Sequence, residues 1–264
     1  MYSKEHATFL KNIRKRNLLV HLTQLIFIIF FLIIWEFLSK LEILNPFLYS
    51  SPSKVFTTIS NLFISNNLFQ HIGITIYETL ISFFIASLVG FIIATILWWN
   101  KFISDVIDPY LTILNSLPKV ALGPLIIIWV GASTNSIIIM ALLISTFISI
   151  INIYNGFVSV DNNFILLMKS MKANKFQIFI KVIVPSNIKN LISSFKINIS
   201  MALIGVIMGE LLVSKSGLGY LIMYGSQVFN INLTITATFI LGILSYIMYL
   251  ILSKIEILLE KKRS

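Results

Sequence analysis

Six apolar segments take up most of this 264-residue chain. A helix needs about 20 consecutive apolar residues to cross the hydrocarbon core of a bilayer. Segments of that kind are predicted at Leu18–Leu38, Ile74–Trp98, Pro109–Val130, Ser136–Tyr154, Leu191–Val213 and Leu233–Leu252. Hydrophobic residues make up 57% of the chain and charged residues only 11%, which is well outside the range of soluble domains. The sequence therefore predicts an all-α integral membrane protein with six transmembrane helices.

Lysines and arginines indicate how these helices are oriented, because cytoplasmic loops of membrane proteins retain an excess of both residues. With the N-terminus inside, the cations in outer loops are Lys40, Lys54 and Lys215, while Lys119 and Lys196 fall within predicted helices. The other cations lie in cytoplasmic loops and tails. We therefore expect both termini on the cytoplasmic side of the membrane. The net charge of +10 then reflects membrane topology and contact with lipid rather than nucleic-acid binding.

The predicted helices divide the chain into four parts. These are a cytoplasmic tail (1–17), the first helix with an outer loop (18–70), a transmembrane core (71–255) whose cytoplasmic loop spans 160–189, and a basic tail (256–264). The first apolar segment is about 20 residues long, so a retained helix is expected rather than a cleaved signal peptide. Apolar residues at helical spacing from Val55 to Phe63 predict a short surface helix in the outer loop.

The third apolar segment contains two prolines within its run. Pro118 and Pro124 each remove a backbone donor and clash with the preceding turn, so a kinked or broken helix is predicted. Lys119 adds a cation whose insertion into hydrocarbon costs about 2.5–3.5 kcal/mol, so its side chain is expected to face a cavity or a partner. These residues are candidates for lining a pathway across the membrane. A kink without function, and a Lys119 side chain that reaches the cytoplasmic interface, are open alternatives.

Glu210 lies near the outer end of the fifth segment. We expect its carboxylate to bind the loop that follows, where Gly217 and Gly219 predict a tight turn before Tyr220 and a short re-entrant or surface helix. A pair with Lys119 is less favoured, because Lys119 belongs to the inner half of the membrane and Glu210 to its outer quarter. Glu210 is also a candidate for the pathway.

The cytoplasmic loop at 160–189 contains a short amphipathic pattern. On a helical projection one face, about 100° wide, combines four apolar residues: Phe164, Leu167, Met168 and Met171. Lys169 and Lys172 lie beside them. A second apolar run ends at Val184 and Pro185, where proline suits the start of a helix. The pattern fits either a helix lying on the membrane surface or a helix that offers methionines and an aromatic ring to a partner groove.

The loop sequence LLMKSMKANKFQIFIKVIVP resembles the coupling signature of bacterial ABC importer permeases. In that signature Glu-Ala-Ala is followed by three residues, a glycine, nine residues and Ile-x-Leu-Pro. Aligned on Pro185, Lys172 stands at the glycine and Leu166–Met168 replace Glu-Ala-Ala. NPFLYSSPSKVF, NSLPKVALGPLIIIWVGAS and GELLVSKSGLGYLI are similar to segments of the nitrate, sulfonate and taurine type permeases, in the same order along the chain.

The resemblance implies a permease subunit that transports a small anionic or polar solute, such as nitrate, a sulfonate, taurine or a thiamine-precursor pyrimidine. The implied partners are a second permease copy, two cytoplasmic ATPase subunits that bind ATP and Mg²⁺, and an extracytoplasmic solute-binding protein. A loop helix from Phe164 to Phe176 would contact the ATPase and move the fifth helix through Pro185. The implied coupling residues are Phe164, Met168, Met171, Lys172, Ala173, Phe176 and Pro185.

Other functional classes find less support in the residues. No glycine-rich loop ending in Lys-Ser or Lys-Thr is present, so this chain is not the ATPase and no cofactor is expected on it. The histidines are too scattered for a metal site. The carboxylates are not grouped as the catalytic cluster of a membrane enzyme would require. A channel or an ion-coupled carrier is the alternative. It is disfavoured because the sequence predicts no buried chain of Asp, Glu and His residues and no selectivity filter.

Overall fold

The computed structural model describes residues 4–65 and 67–261, and within them every regular element is a helix. The first half of the described chain contains α1 (Lys4–Lys40), α2 (Pro46–Tyr49), α3 (Pro52–Ile64), α4 (Asn67–Trp99), α5 (Lys101–Ser116), α6 (Gly123–Val130) and α7 (Thr134–Val158). The second half contains α8 (Asn162–Ser170), α9 (Lys175–Ile178), α10 (Val184–Ser186), α11 (Ile188–Val213), α12 (Leu218–Gln227) and α13 (Ile231–Lys261). A 3₁₀ turn (Lys119–Leu122) precedes α6, and a π-helical segment (Phe179–Ile183) precedes α10.

The described residues contain five continuous helices that are long and apolar enough to cross a membrane: Leu18–Lys40, Asn67–Trp99, Thr134–Val158, Ile188–Val213 and Ile231–Leu259. The third predicted helix is instead a pair, Lys101–Ser116 and Lys119–Val130, bent by 80°. Counting that pair as one gives six. The all-α membrane architecture is therefore confirmed, and the predicted break in the third helix is present. Pro109, taken as the start of that helix, lies inside α5 instead.

Helix α7 packs between α4 and α11, and small residues allow the close approach. A Cβ atom added at Gly205 of α11 would lie 2.4 Å from the Ala141 Cα atom of α7, closer than real Cβ contacts. At Gly90 of α4, an added Cβ would lie 2.3 Å from the Ser149 Oγ atom. Membrane helices associate through such close packing, because lipid provides no hydrophobic driving force between them. These glycines therefore determine how closely the three helices approach.

Buried hydrogen bonds connect the same helices. Asn198 of α11 donates from Nδ2 to the Ser87 Oγ atom of α4 over 2.7 Å. The hydroxyl groups of Ser104 in α5 and Tyr154 in α7 lie 2.5 Å apart. Hydrogen bonds between membrane helices add modestly to stability, but they fix which faces meet. The bundle of α4, α7 and α11 is thus defined by small residues and polar contacts together.

The outer-loop helix predicted at Val55–Phe63 is present as α3. Its first turn is capped by Ser51, whose Oγ accepts a hydrogen bond from the Lys54 backbone N–H at 3.3 Å. Helix α3 packs on α4 and α13, and Ile59 contributes to the apolar cluster beneath it. By contrast, the most apolar window of α1 has none of its residues buried, whereas the last turns of this helix contact α2 and α3. That window is therefore available to lipid or to another chain.

An ion pair connects α11 and α13. Lys196 Nζ donates to Glu256 Oε2, and both side chains are largely shielded, with exposed fractions of 15% and 21%. The Lys196 ammonium group also lies 5.4 Å from the centre of the Tyr249 ring. A cation over an aromatic face gains further electrostatic stabilisation.

Reversing one charge of this pair should destabilise the protein, because it leaves two like charges in a shielded position. We expect Lys196→Glu to lower the free energy of unfolding by about 2 kcal/mol, the scale of a hydrogen bond to a charged group. The double variant Lys196→Glu with Glu256→Lys should recover most of that loss. Thermal unfolding of the protein in lipid nanodiscs measures both effects. Equal stability of the single and double variants would contradict the pairing.

Candidate functional site

The loop after α11 is bound to the helix bundle through Glu210. This carboxylate is 1% exposed, and its Oε2 accepts a hydrogen bond from the Gly219 N–H at 2.5 Å. Its Oε1 accepts one from the Thr75 hydroxyl at 2.6 Å. Gly219 lies in the first turn of α12, where unpaired N–H groups and the helix dipole favour an anion. Glu210 thus makes the contacts that the loop-anchor interpretation requires.

Helix α4 supplies the rest of this network. The Leu218 N–H donates to the Thr75 hydroxyl at 2.9 Å, and the Gly217 N–H donates to His71 Nδ1 at 3.0 Å. The His71 ring also stacks on Tyr220, with 6.0 Å between ring centres. Gly217 adopts a φ of +111°, and an added Cβ would lie 2.3 Å from the Glu210 Cδ atom. Only glycine fits at this turn.

Sequence reasoning missed Glu78, a second buried carboxylate in this region. Glu78 lies in α4, is 1% exposed, and has the Glu210 carboxyl group and the Thr134 hydroxyl as polar neighbours. With His71, it contradicts the expectation that Asp, Glu and His residues are not gathered inside the bundle. The available signal was an ionisable residue within an apolar segment, which is a functional candidate by default.

The break in the third transmembrane segment occurs at Leu117 and Pro118. Leu117 is extended, with φ −62° and ψ 140°, as steric contact with a following proline favours. Pro124 lies in the first turn of α6, where a proline costs no hydrogen bond. Lys119 donates from Nζ to the Asn115 carbonyl oxygen at 2.7 Å. Its ammonium group lies 5.6 Å from the centre of the Phe147 ring.

Lys119 therefore contacts the carbonyl end of α5 and an aromatic ring of α7, whereas the partners of Glu210 are on α4 and α12. The structure does not join the two as an ion pair. The cation at the C-terminal end of α5 is placed where a helix dipole favours it. The bend and the Glu210 network are separate features of the fold, and the residues predicted to line one pathway fall into two groups.

The cytoplasmic loop does not form one helix from Phe164 to Phe176, so that expectation is wrong. Helix α8 ends at Ser170 because Lys172 adopts a positive φ of 58°. A new helix starts after Asn174, whose Oδ1 accepts a hydrogen bond from the Gln177 N–H at 2.8 Å. The left-handed backbone of Lys172 therefore ends the first helix, and the Asn174 cap starts the second.

The coupling candidates face in two directions. Phe164, Met171 and Phe176 are more than half exposed. Met168 and Ala173 are only partly exposed and pack against the apolar cluster that includes Ile153 and Phe157. The loop therefore has an inner face that holds it on the bundle and an outer face of aromatic, methionine and lysine side chains. We call this outer face, formed by Phe164, Leu167, Met171, Lys172 and Phe176, the cytoplasmic patch, after the side of the membrane on which the sequence leads us to expect it.

The cytoplasmic patch connects directly to α11. Residues Phe179–Ile183 form a π-helical segment, and Pro185 follows within α10. Lys175 fixes the start of this connection. Its Nζ donates to the Trp99 carbonyl oxygen and lies 5.5 Å from the centre of the Trp98 ring. The loop is therefore connected both to the end of α4 and to α11.

Residues 86–263 match the family described as "Binding-protein-dependent transport system inner membrane component". The chain belongs to this family. It is a permease subunit of an ABC importer, a multi-pass membrane protein with a transport role. This match covers the bend, the cytoplasmic patch, the Glu210 loop and α13. The alternative of a channel or an ion-coupled carrier is not favoured.

Curated relatives of the permease include two proteins that are named as transport permeases. The chain is 29% identical over 199 residues to SsuC of Bacillus subtilis (strain 168), named as an aliphatic sulfonates transport permease protein, covering 75% of this chain and 72% of the relative. It is 26% identical over 232 residues to the formylaminopyrimidine transport permease protein ThiX of Halalkalibacterium halodurans, covering 88% and 92%.

Solved structures share the fold of the permease. An inward-facing conformation of the MetNI methionine ABC transporter superposes with a TM-score of 0.65 at 18% identity, covering 73% of this chain and 96% of that one. An amino acid ABC transporter superposes with a TM-score of 0.59 at 19% identity, covering 77% and 97%. At these identities the likeness concerns the fold alone.

Proposed function

We propose that this permease works with a separate ATPase that docks on the cytoplasmic patch, with a second permease chain and with an extracytoplasmic solute-binding protein. Both termini and the patch then lie on the cytoplasmic side. ATP hydrolysis takes place on the partner, and this chain transmits its conformational change to the transmembrane helices. Energy transfer requires that the patch bind two states of the ATPase with different affinity.

The exposed cytoplasmic patch is the observation that supports this proposal best. Methionine and aromatic side chains at interfaces fill pockets on a partner. Lys169 and Lys172 are exposed beside them, and the loop as a whole is held on the bundle by its inner face. The lysines favour an acidic groove on the ATPase, because complementary charge speeds association and excludes wrong partners.

We propose a small anionic or polar cargo, of the sulfonate or thiamine-precursor pyrimidine kind. The names of the relatives support that class. Lys119 supports it too, because a cation at the bend offers a contact for an anion passing between α5 and α7. The permease need not bind its cargo tightly, since the solute-binding protein selects it.

Charge reversal on the cytoplasmic patch tests the ATPase proposal. The tagged chain is purified from membranes of its native host in mild detergent, and co-purifying ATP hydrolysis is measured. We expect wild-type protein to retain an ATPase. Lys169→Glu and Lys172→Glu should each reduce the recovered ATPase activity by about tenfold, a loss of about 1.4 kcal/mol. Lys175 is left intact, because its contacts with Trp98 and Trp99 hold the loop in place.

Lys254→Glu is the matched control. Lys254 is an exposed lysine of α13, outside the patch, and it changes the same charge on the same expected side of the membrane. Its recovery should equal that of the wild type. Wild-type preparations without any nucleotide-hydrolysing subunit would contradict the ATPase proposal, and equal losses in the control would contradict the assignment of the patch.

A further inference from the structure

A cleft lies at the outer end of the bundle, between α4, the start of α7 and the loop that follows α11. Its volume is about 410 Å³, and its lining includes Tyr77, Glu78, Thr134, Lys215 and Ser216. Clefts of roughly 300–1,000 Å³ accommodate small molecules. The cleft is next to the Glu210 network but is formed by different side chains.

Glu78 gives this cleft a buried carboxyl oxygen without a hydrogen-bond donor. The side chain is 1% exposed, and its Oε2 accepts no hydrogen bond in the part of the chain that the structure describes. Its neighbour Glu210 is already engaged by Thr75 and Gly219. A buried polar atom without a partner destabilises the folded state. A ligand with N–H donors would remove that destabilisation.

A lysine and the start of a helix also line the cleft. Lys215 is exposed on the loop and lines the cleft. Ser133 and Thr134 line it as well, and they lie at the N-terminus of α7, a helix of 25 residues. The first N–H groups of a helix lack partners within it, and the helix dipole favours anions there. One small cleft therefore combines a carboxyl oxygen that lacks a donor with a lysine and a helix N-terminus that favour an anion.

We propose that the cleft binds a small zwitterionic solute, with its ammonium group at Glu78 and its anionic group at Lys215 and the N-terminus of α7. This inference rests on the proposed transport function, because it specifies the chemical class of the cargo and where the permease contacts it. The two charges act together. An anion alone leaves Glu78 without a donor, and an amine alone leaves Lys215 and the helix end without an anion.

Saturation-transfer NMR on the full-length chain in lipid nanodiscs tests the inference, since it detects weak binding. The zwitterionic probes are glycine, β-alanine and taurine, which differ in the separation of their charges. Ethanesulfonate and ethylammonium each provide one charge. We expect at least one zwitterion to bind about tenfold more tightly than either single-charge probe, a difference of about 1.4 kcal/mol.

Two variants assign the charges. Glu78→Gln should weaken binding of that zwitterion about tenfold and remove its advantage over ethanesulfonate, while Lys215→Gln should remove its advantage over ethylammonium. Glu42→Gln and Lys40→Gln change the same charges in the outer loop, away from the cleft, and should leave binding unchanged. Because Lys215 is exposed, its variant keeps the test decisive even if Glu78→Gln fails to fold.

Equal binding of all probes, no binding of any zwitterion, or unchanged binding in both variants would overturn the inference. The transport proposal is judged separately by the ATPase that co-purifies with the wild-type chain. An ATPase without zwitterion binding rejects the cleft and leaves the transport proposal standing. Zwitterion binding without an ATPase rejects the ATPase partner and supports the cleft as a ligand site.

Discussion

Replacing Glu210 by alanine is expected to lower the free energy of unfolding by about 4 kcal/mol. The substitution removes the acceptor of the Gly219 N–H and of the Tyr220 N–H, and each unsatisfied donor costs about 1–3 kcal/mol. The Thr75 hydroxyl keeps the His71 carbonyl oxygen as an acceptor at 3.2 Å. Loss of the anion at the first turn of α12 adds a smaller helix-dipole contribution. Glu210→Gln retains one acceptor oxygen, so its loss should be about half as large.

Thermal unfolding in nanodiscs measures the stability of these variants, and limited proteolysis reports on the loop directly. We expect Glu210→Ala to expose the backbone at residues 214–217 to cleavage, because Gly219 and Thr75 no longer hold that segment. Glu42→Gln removes an exposed carboxylate on the same expected side of the membrane and serves as the control. A Glu210→Ala protein as stable and as protease-resistant as this control would show that the carboxylate does not anchor the loop.

Replacing Gly205 by alanine should destabilise the bundle by about 3 kcal/mol. The new Cβ would lie 2.4 Å from the Ala141 Cα atom, and a backbone atom cannot move aside as a flexible side chain can. Helices α7 and α11 must therefore separate, and over-packing of this kind costs about 1–3 kcal/mol, occasionally more. The hydrogen bond between Asn198 and Ser87 should weaken with the changed position of α11.

Gly242→Ala is the matched control for Gly205→Ala. Gly242 lies in α13, and an added Cβ would meet no atom within 4 Å. Since alanine favours helix over glycine by about 1 kcal/mol, this variant should be neutral or slightly stabilised. Midpoints of thermal unfolding for the two variants should therefore move in opposite directions. If both variants shift the midpoint in the same direction and by the same amount, the glycine of α11 has no special role in packing.

Rules that act on single residues predicted the local structure well. Pro118 predicts the break in the third transmembrane segment, since a proline excludes the helical backbone for the residue before it. Apolar spacing predicts α3. The glycine pattern predicts the turn before α12, and the structure adds the reason, because Gly217 needs both a positive φ and the space next to Glu210.

Contacts between distant residues could not be predicted in this way. Glu78 is separated from Glu210 by half of the chain, and only the packing of α4 against α11 brings the two carboxylates together. His71 contacts Gly217 and Tyr220 for the same reason, and its position in the sequence does not predict those contacts. A single helix from Phe164 to Phe176 does not form, because Lys172 adopts a left-handed φ. The spacing of apolar residues does not predict such a backbone conformation.

The length of α11 couples a rotation at its Ile188 end to the hydrogen bonds of Glu210 near its other end. From Ile188 to Glu210 the helix rises by about 33 Å at 1.5 Å per residue. A rotation of about 10° at its inner end therefore displaces Glu210 by about 6 Å, more than the hydrogen bonds to Thr75 and Gly219 can stretch. Since Gly205 also holds α11 tightly against α7, we expect α4, α7, α11 and α12 to rotate as one lever. The joint about which this lever turns is then the non-helical Leu117–Pro118 step, where no continuous row of backbone hydrogen bonds resists bending.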